Sequence, residues 1–525
     1  MLDVIIKNGF VIDGSGNSWF KSDIGIKDEK IVKIGCLHKE QADKKIDAEG
    51  FFVSPGFIDA HTHHDVSLLL DKRLEYVVRQ GITTLVTGSC GFSPFPINHK
   101  HVDLHKKHLQ PIFPLQNIKI SWKEVRDFSE VLKRNGMSVN ISPMVGHGSL
   151  RVAVMGFEER RAEKHELEEM KYLLKELMSQ GAIGLSTGLM YSPAAYADNI
   201  ELVELCEVVS EYGGIFSTHI RSYGDFIERA ICEMLDIARK SRVSIEFSHF
   251  RPIGVGNFGK DVISMLERAR EEGIDANCDM YPYTAGQSFL SSLLPPWVHE
   301  GGEEEMLKRL RDFKIKMKAI EDMKKGLPNW SSLLKVCGMN GLVISYSKNH
   351  KDYEGKRVMD IAKSKGIDPY NLIVDTVLDD DNLTLMINFC ANENDVNKVI
   401  THPLSMIGSD SMFPKGKPHP RVFGTFPKVI RKYVVEEKLL RIEEVIRKMT
   451  SLPATKHRLW NRGMIRPNFY ADIVIFSLKE FKDKASYENP NLISEGVKHL
   501  IVNGELIINE YDYEYKPCGK VLLLK

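Results

Sequence analysis

Apolar residues recur along this chain with two different periods, and the change of period divides it. Up to residue 54, apolar and polar positions alternate in short runs: Val4-Ile5-Ile6, Gly9 to Gly14, Ile24-Gly25-Ile26 and Lys30 to Gly35, with Gly and Asp between them. Period-two runs broken by turn residues predict a small antiparallel β unit. A second such stretch closes the chain, Ala471 to Phe476 and Val497 to Ile507. Neither end carries enough apolar surface to stand alone. The pattern therefore predicts a discontinuous β-sandwich domain of residues 1–54 and 457–525, with the long middle inserted between its halves.

Residues 55–456 repeat a strand-then-helix rhythm. The first strand candidate is the apolar run Phe51 to Ala60. Others follow at Ile82 to Thr87, Val139 to Val145, Ala182 to Ser186, Gly214 to Thr218, Val243 to Ser248, Ile274 to Met280 and Ser405 to Gly408. Helical periodicity fills most gaps, as in Arg160 to Ser179 and Asn199 to Glu211. Short apolar strands alternating with helices fit an α/β fold of the (β/α)8 TIM-barrel type. An open doubly wound sheet is the competing layout, but no glycine fingerprint opens a helix. One interval breaks the rhythm. The stretch of approximately 285–400, between strands 7 and 8, is too long for a simple connection. It contains the charged helical segment Glu303 to Lys325. It is either a surface decoration or a lid over the barrel mouth, and a lid is the expectation.

Composition narrows the function. The chain has 525 residues, 43% hydrophobic and 27% charged, with 71 basic and 71 acidic side chains. A neutral balance argues against an extended nucleic-acid footprint. No apolar run is long enough to span a bilayer, and the N-terminus reads as a strand and turn. The eight cysteines form no CxxC pair. These features predict a reduced, cytoplasmic protein acting on a small molecule, with neither nucleic acid nor membrane as partner and no assigned oligomeric state.

The candidate chemistry gathers at the strand ends. His61 and His63, at i and i+2, leave one face of the first strand. Cys90 follows the second strand, His219 the fifth, His249 the sixth and Asp410 the eighth. In a barrel of this type all would lie on one rim. Imidazoles, a thiolate and a carboxylate form a set that suits zinc. Each has a plainer reading: Cys90 as a small buried hydrophobe, the histidines as core residues, Asp410 as a helix cap. Their joint placement favours a shared metal.

With these residues the chain resembles the amidohydrolase superfamily, and within it the N-acyl-D-amino-acid deacylases (D-aminoacylases). The resemblance covers nearly the whole length. It rests on Ser54 to His63, Val145-Gly146-His147-Gly148-Ser149-Leu150-Arg151, Gly184 to Leu189, Tyr281-Pro282-Tyr283-Thr284-Ala285-Gly286 and His419 to Pro427. It implies a metal-bearing barrel joined to a β-sandwich. It implies one Zn2+ held tightly by Cys90, His219 and His249, a weaker second position at His61 and His63, and Asp410 as the catalytic carboxylate. Three positions depart from the family pattern. His64 replaces an acidic residue, Arg251 replaces a lysine, and Asn468 replaces a turn glycine.

The implied reaction is hydrolysis of the amide bond of N-acyl-D-amino acids. Arg251, Tyr283 and Ser288 are the candidates to bind the substrate carboxylate, with Arg221 as a further candidate. An amidohydrolase acting on a dipeptide-like substrate or on a cyclic amide is the alternative. The cyclic-amide reading is weakened because the fourth strand, Ala182 to Leu189, lacks the lysine that bridges two metals in hydantoinases and dihydroorotases. A non-catalytic scaffold ranks last, since the ligand set is complete.

Overall fold

A computed structural model describes residues 1–115, 118–328, 330 and 332–525. Among these residues, strands from both termini join one nine-stranded sheet. The strand Leu2–Val11 is its branch point. Leu2 to Lys7 pairs in parallel with Ala42–Asp47, while Phe10 and Val11 pair with Phe52–Pro55. The register shifts between Ile6 and Gly9, where Asn8 takes a φ of 62°. Such a bulge lets one strand change partners. The strands expected of the β-sandwich are thus hydrogen-bonded as one branched sheet. Its apolar core draws on both termini, with Ile6, Ile24 and Val53 packing with Ile473, Ile475 and Ile501.

The run Phe51 to Ala60, read as one strand, is two. Phe52–Pro55 pairs antiparallel with Ile473–Phe476 in the terminal sheet. Phe57–Asp59 pairs in parallel with Ile82–Thr87. Gly56 alone separates them. Its N–H donates to Asp472 O at 2.8 Å. A Cβ at Gly56 would lie 2.3 Å from the Thr83 side chain, so only glycine fits where the chain changes sheets.

The remaining parallel strands form two groups. Phe57–Asp59, Ile82–Thr87 and Asn140–Pro143 make one. Val145–Gly146, Gly184–Gly188, Ile215–His219, Ser244–Phe247, Ala276–Met280 and Ser405–Ile407 make the other, in that order. Met144 alone separates Pro143 from Val145. At the other edge Ala60 N donates to Ile407 O at 3.2 Å, and Ser411–Met412 pairs with Thr62–His63. The connecting helices follow the predicted periodicity. Asn199–Glu211 begins as expected, with Asp198 accepting a capping bond from Glu201 N at 3.0 Å.

The long interval after Ala276–Met280 has its own architecture. Ala285–Phe289, Leu342–Tyr346 and Leu385–Phe389 form an antiparallel sheet beside several helices. The segment read as one helix, Glu303 to Lys325, is two, Glu303–Arg311 and Phe313–Lys325. Asp312 divides them because its carboxylate accepts from Lys314 N and Ile315 N and so starts a new helix.

Candidate metal centre

The sequence-predicted ligands converge beyond the C-terminal ends of the parallel strands. Cys90 Sγ lies 3.4 Å from His61 Nε2 and 3.6 Å from both His219 Nδ1 and His249 Nε2. His63 Nε2 is 3.3 Å and His61 Nε2 3.6 Å from Asp410 Oδ1. Potential ligand atoms of Cys90, His219 and His249 all lie within 4.8 Å of one another, as do those of His61, His63 and Cys90. All six residues are buried.

Three of them occupy strained backbone. Cys90, His249 and Asp410 take φ values of 53°, 35° and 51°. A left-handed residue costs a non-glycine roughly 1–2 kcal/mol, and clusters of such residues mark functional sites. Here the reversal turns the chain away from the strand end while the side chain stays aimed inward. Gly88, just before the cysteine, lies so close to Met144 that a Cβ would meet its carbonyl oxygen at 2.2 Å.

The electrostatics suit a cation. Burial opposes ionisation of the Cys90 thiol, yet His61, His219 and His249 together hold it well below its ordinary range. Burial also opposes ionisation of Asp410, but the Arg421 guanidinium and His63 outweigh it and keep the carboxyl far below the usual value. A thiolate ringed by imidazole nitrogens, with a carboxylate alongside, fits zinc. The outer contacts orient the rings. His61 Nδ1 lies 3.2 Å from Asp279 Oδ2, and His249 N donates to Asp279 Oδ1 at 3.0 Å. One carboxylate thereby positions two ligands, a common device at metal sites. On the far side of His219, Nε2 meets Met190 Sδ at 3.2 Å.

Sequence reading missed Asp279 and Arg421. Asp279 sits at a strand end like the ligands, and that position was the available signal. Arg421 lies inside the His419 to Pro427 motif, where nothing in the spacing reveals its 2.6 Å approach to Asp410 Oδ2. His64 stays outside the ligand set. Its ring nitrogens lie 3.1 Å from Ser67 Oγ and 2.9 Å from Ser411 Oγ, and burial pushes its pKa down to about 3. Asn468 adopts the left-handed turn at φ 71°.

A cavity opens on this cluster. Arg251 and Ser288 line it, together with Tyr281 and Arg421. Tyr283 does not: it is buried against His419, with Lys428 Nζ 3.8 Å from its ring centroid. The two tyrosines straddle Pro282, and the chain turns Tyr281 to the cavity instead. The Tyr281 ring lies between two guanidiniums, with Arg251 Cζ at 4.7 Å and Arg421 Cζ at 4.8 Å from its centroid. Arg251 Nη2 also donates to Tyr281 Oη at 2.8 Å. Arg221 is held elsewhere by Glu233 and the carbonyls of Ala195 and Ala197.

The chain is 31% identical to a D-aminoacylase of Alcaligenes xylosoxydans xylosoxydans over 99% of its own length and 97% of the relative's. The crystal structure of the N-acyl-D-glutamate deacylase of Bordetella bronchiseptica, complexed with zinc and a phosphonate inhibitor, superposes with a TM-score of 0.84. It is 29% identical and covers 99% of both chains. A D-aminoacylase structure with a binuclear metal centre matches with a TM-score of 0.84 at 31% identity over 100% of both chains. The Amidohydrolase family model matches residues 44–285 and 356–508, and this chain belongs to that family.

Proposed function

We propose that the protein is a zinc-dependent N-acyl-D-amino-acid deacylase, cleaving the amide to a carboxylate and a free D-amino acid. The convergence of Cys90, His219 and His249 beside Asp410 carries this reading. We take the two groups of parallel strands as one closed (β/α)8 barrel, supported by the bond from Ala60 to Ile407. The barrel domain is residues 55–456, the terminal sheet is the second domain (1–54 and 457–525), and 285–400 acts as a lid. The lid role draws support from Gln287, Ser288 and Asn388, which line the cavity from the inserted sheet.

Cys90, His219 and His249 would hold the tight zinc, and His61 and His63 a second, weaker one. When bound, zinc supplies Lewis-acid polarisation of the scissile carbonyl and a nucleophile at neutral pH. Asp410 takes the proton of the attacking water and returns it to the leaving nitrogen, which would otherwise depart poorly. Arg421 engages Oδ2 of that carboxylate, leaving Oδ1 toward the histidines for proton transfer. Arg251 and Ser288 face the substrate carboxylate. Among the described residues no acidic side chain pairs with Arg251, so its charge is free for a ligand. Tyr283, buried apart from the cavity, supports the wall from behind. The relatives' activities, on N-acyl-D-glutamate and as D-aminoacylase, support the D-amino-acid class.

Metal analysis and a panel of N-acetyl-D- and N-acetyl-L-amino acids, with hydantoin and dihydroorotate as controls, test the reading. Bound zinc and turnover confined to the D series are expected. Turnover of the cyclic amides alone would replace it with the cyclic-amide hydrolase.

A further inference from the structure

We propose that the substrate site continues past an aromatic wall into a second cavity, which receives one long apolar arm of the substrate. This inference rests on the deacylase reading and names a substrate class within it. The cavity at the ligand cluster measures about 80 Å³. That is well below the roughly 300–1,000 Å³ of sites that enclose an organic ligand. A neighbouring cavity measures about 380 Å³. Phe92, Met190, Tyr191 and Phe289 line both, so the two adjoin across these side chains. The rings of Phe92, Tyr191 and Phe289 touch one another, with centroids 5.4, 5.6 and 6.2 Å apart. They form a wall of tilted and edge-on faces against which a hydrocarbon chain can lie.

Beyond that wall the second cavity is lined by apolar side chains at Phe157, Leu294 and Met306 and by polar ones that include Lys107, Glu159 and Glu303. Glu303 accepts from Gln110 Nε2 at 2.5 Å and from Asn382 Nδ2 at 3.0 Å. A cavity of this volume with apolar side chains in its lining suits a hydrocarbon chain better than an acetyl group. The arm belongs either to the acyl group or to the amino-acid side chain.

The experiment compares kcat/KM for N-acetyl-D-alanine, N-octanoyl-D-alanine and N-acetyl-D-aminodecanoate on the zinc-loaded protein. One of the long substrates is expected to exceed the short one by at least about tenfold, the gain from burying two or more methylenes, and the one that does identifies the arm. Ala195→Phe and Met306→Trp, each placing bulk in the second cavity, should collapse that ratio to near unity. Thermal melting identifies which of the two variants is folded. If both long substrates react no faster than the short one, or if the ratio persists in a folded variant, the proposal is overturned while the deacylase reading stands. If the zinc-loaded protein cleaves none of the three, the deacylase reading fails and this inference falls with it.

Discussion

Arg421 Nη1 lies 2.6 Å from Asp410 Oδ2, with the arginine side chain 1% and the aspartate 11% exposed. So buried a carboxylate would ordinarily resist ionisation, and the guanidinium reverses that. The pair keeps the proposed base in its proton-accepting form. Arg421→Met removes the leading opposing influence while burial remains, so the Asp410 pKa rises. The acid limb of the kcat/KM profile should therefore move to higher pH. An acid limb that stays in place would show that another group sets it.

Asp410→Asn keeps the shape of the side chain but cannot carry the proton. Zinc content should remain at the parent level while kcat falls by about 10²–10⁴-fold, the usual contribution of a positioned acid–base. Atomic absorption and steady-state kinetics read the two quantities separately, and near-parent turnover would remove Asp410 from the mechanism.

Cys90 is the ligand shared by both candidate positions, since its sulfur faces His61 as well as His219 and His249. Cys90→Ala should abolish tight zinc binding, measured by equilibrium dialysis against a chelator. A variant that retains stoichiometric zinc would mean that the thiolate is not a ligand.

Arg251→Met removes an unpaired buried cation from the cavity wall. A charge-assisted hydrogen bond contributes about 1.5–3 kcal/mol, so KM for an N-acyl amino acid should rise roughly 10- to 100-fold. The same substrate as its neutral amide should show little change, which separates charge recognition from loss of packing.

Glu303 offers a stability test away from the metal. Burial raises its pKa to about 7 from an ordinary 4.5. The folded state then holds a proton that the unfolded state has released, so this group lowers stability as pH climbs from about 4.5 through 7. At 1.36 kcal/mol per unit the loss is on the order of 3 kcal/mol. Glu303→Gln should be more resistant to heat than the parent at pH 8 and close to it at pH 4.5. Equal melting temperatures at pH 8 would show that the carboxyl ionises freely.

The ligand cluster was legible because its members share one feature, a position just past an apolar run. His61, His63, Cys90, His219, His249 and Asp410 all have it, and strand geometry delivers them to one place. What the spacing could not show is which of two neighbours turns inward. Tyr281 and Tyr283 have the same parity along the chain, and only the turn at Pro282 separates their environments. Nor could it show partners brought together by closure, such as Asp279 with His61 or Arg421 with Asp410. The apolar run Phe51 to Ala60 looked continuous because both sheets bury it equally. The hand-over shows only in the packing of Gly56 against Thr83.

That hand-over gives the terminal sheet a mechanical role. A lone residue links a strand clamped by the last part of the chain to the strand that delivers His61 and His63. The closing segment thus works as a splint for the strand end that carries His61 and His63. Shortening the protein from its C-terminal side would slacken the first pair of histidines before it disturbed any residue that meets the substrate.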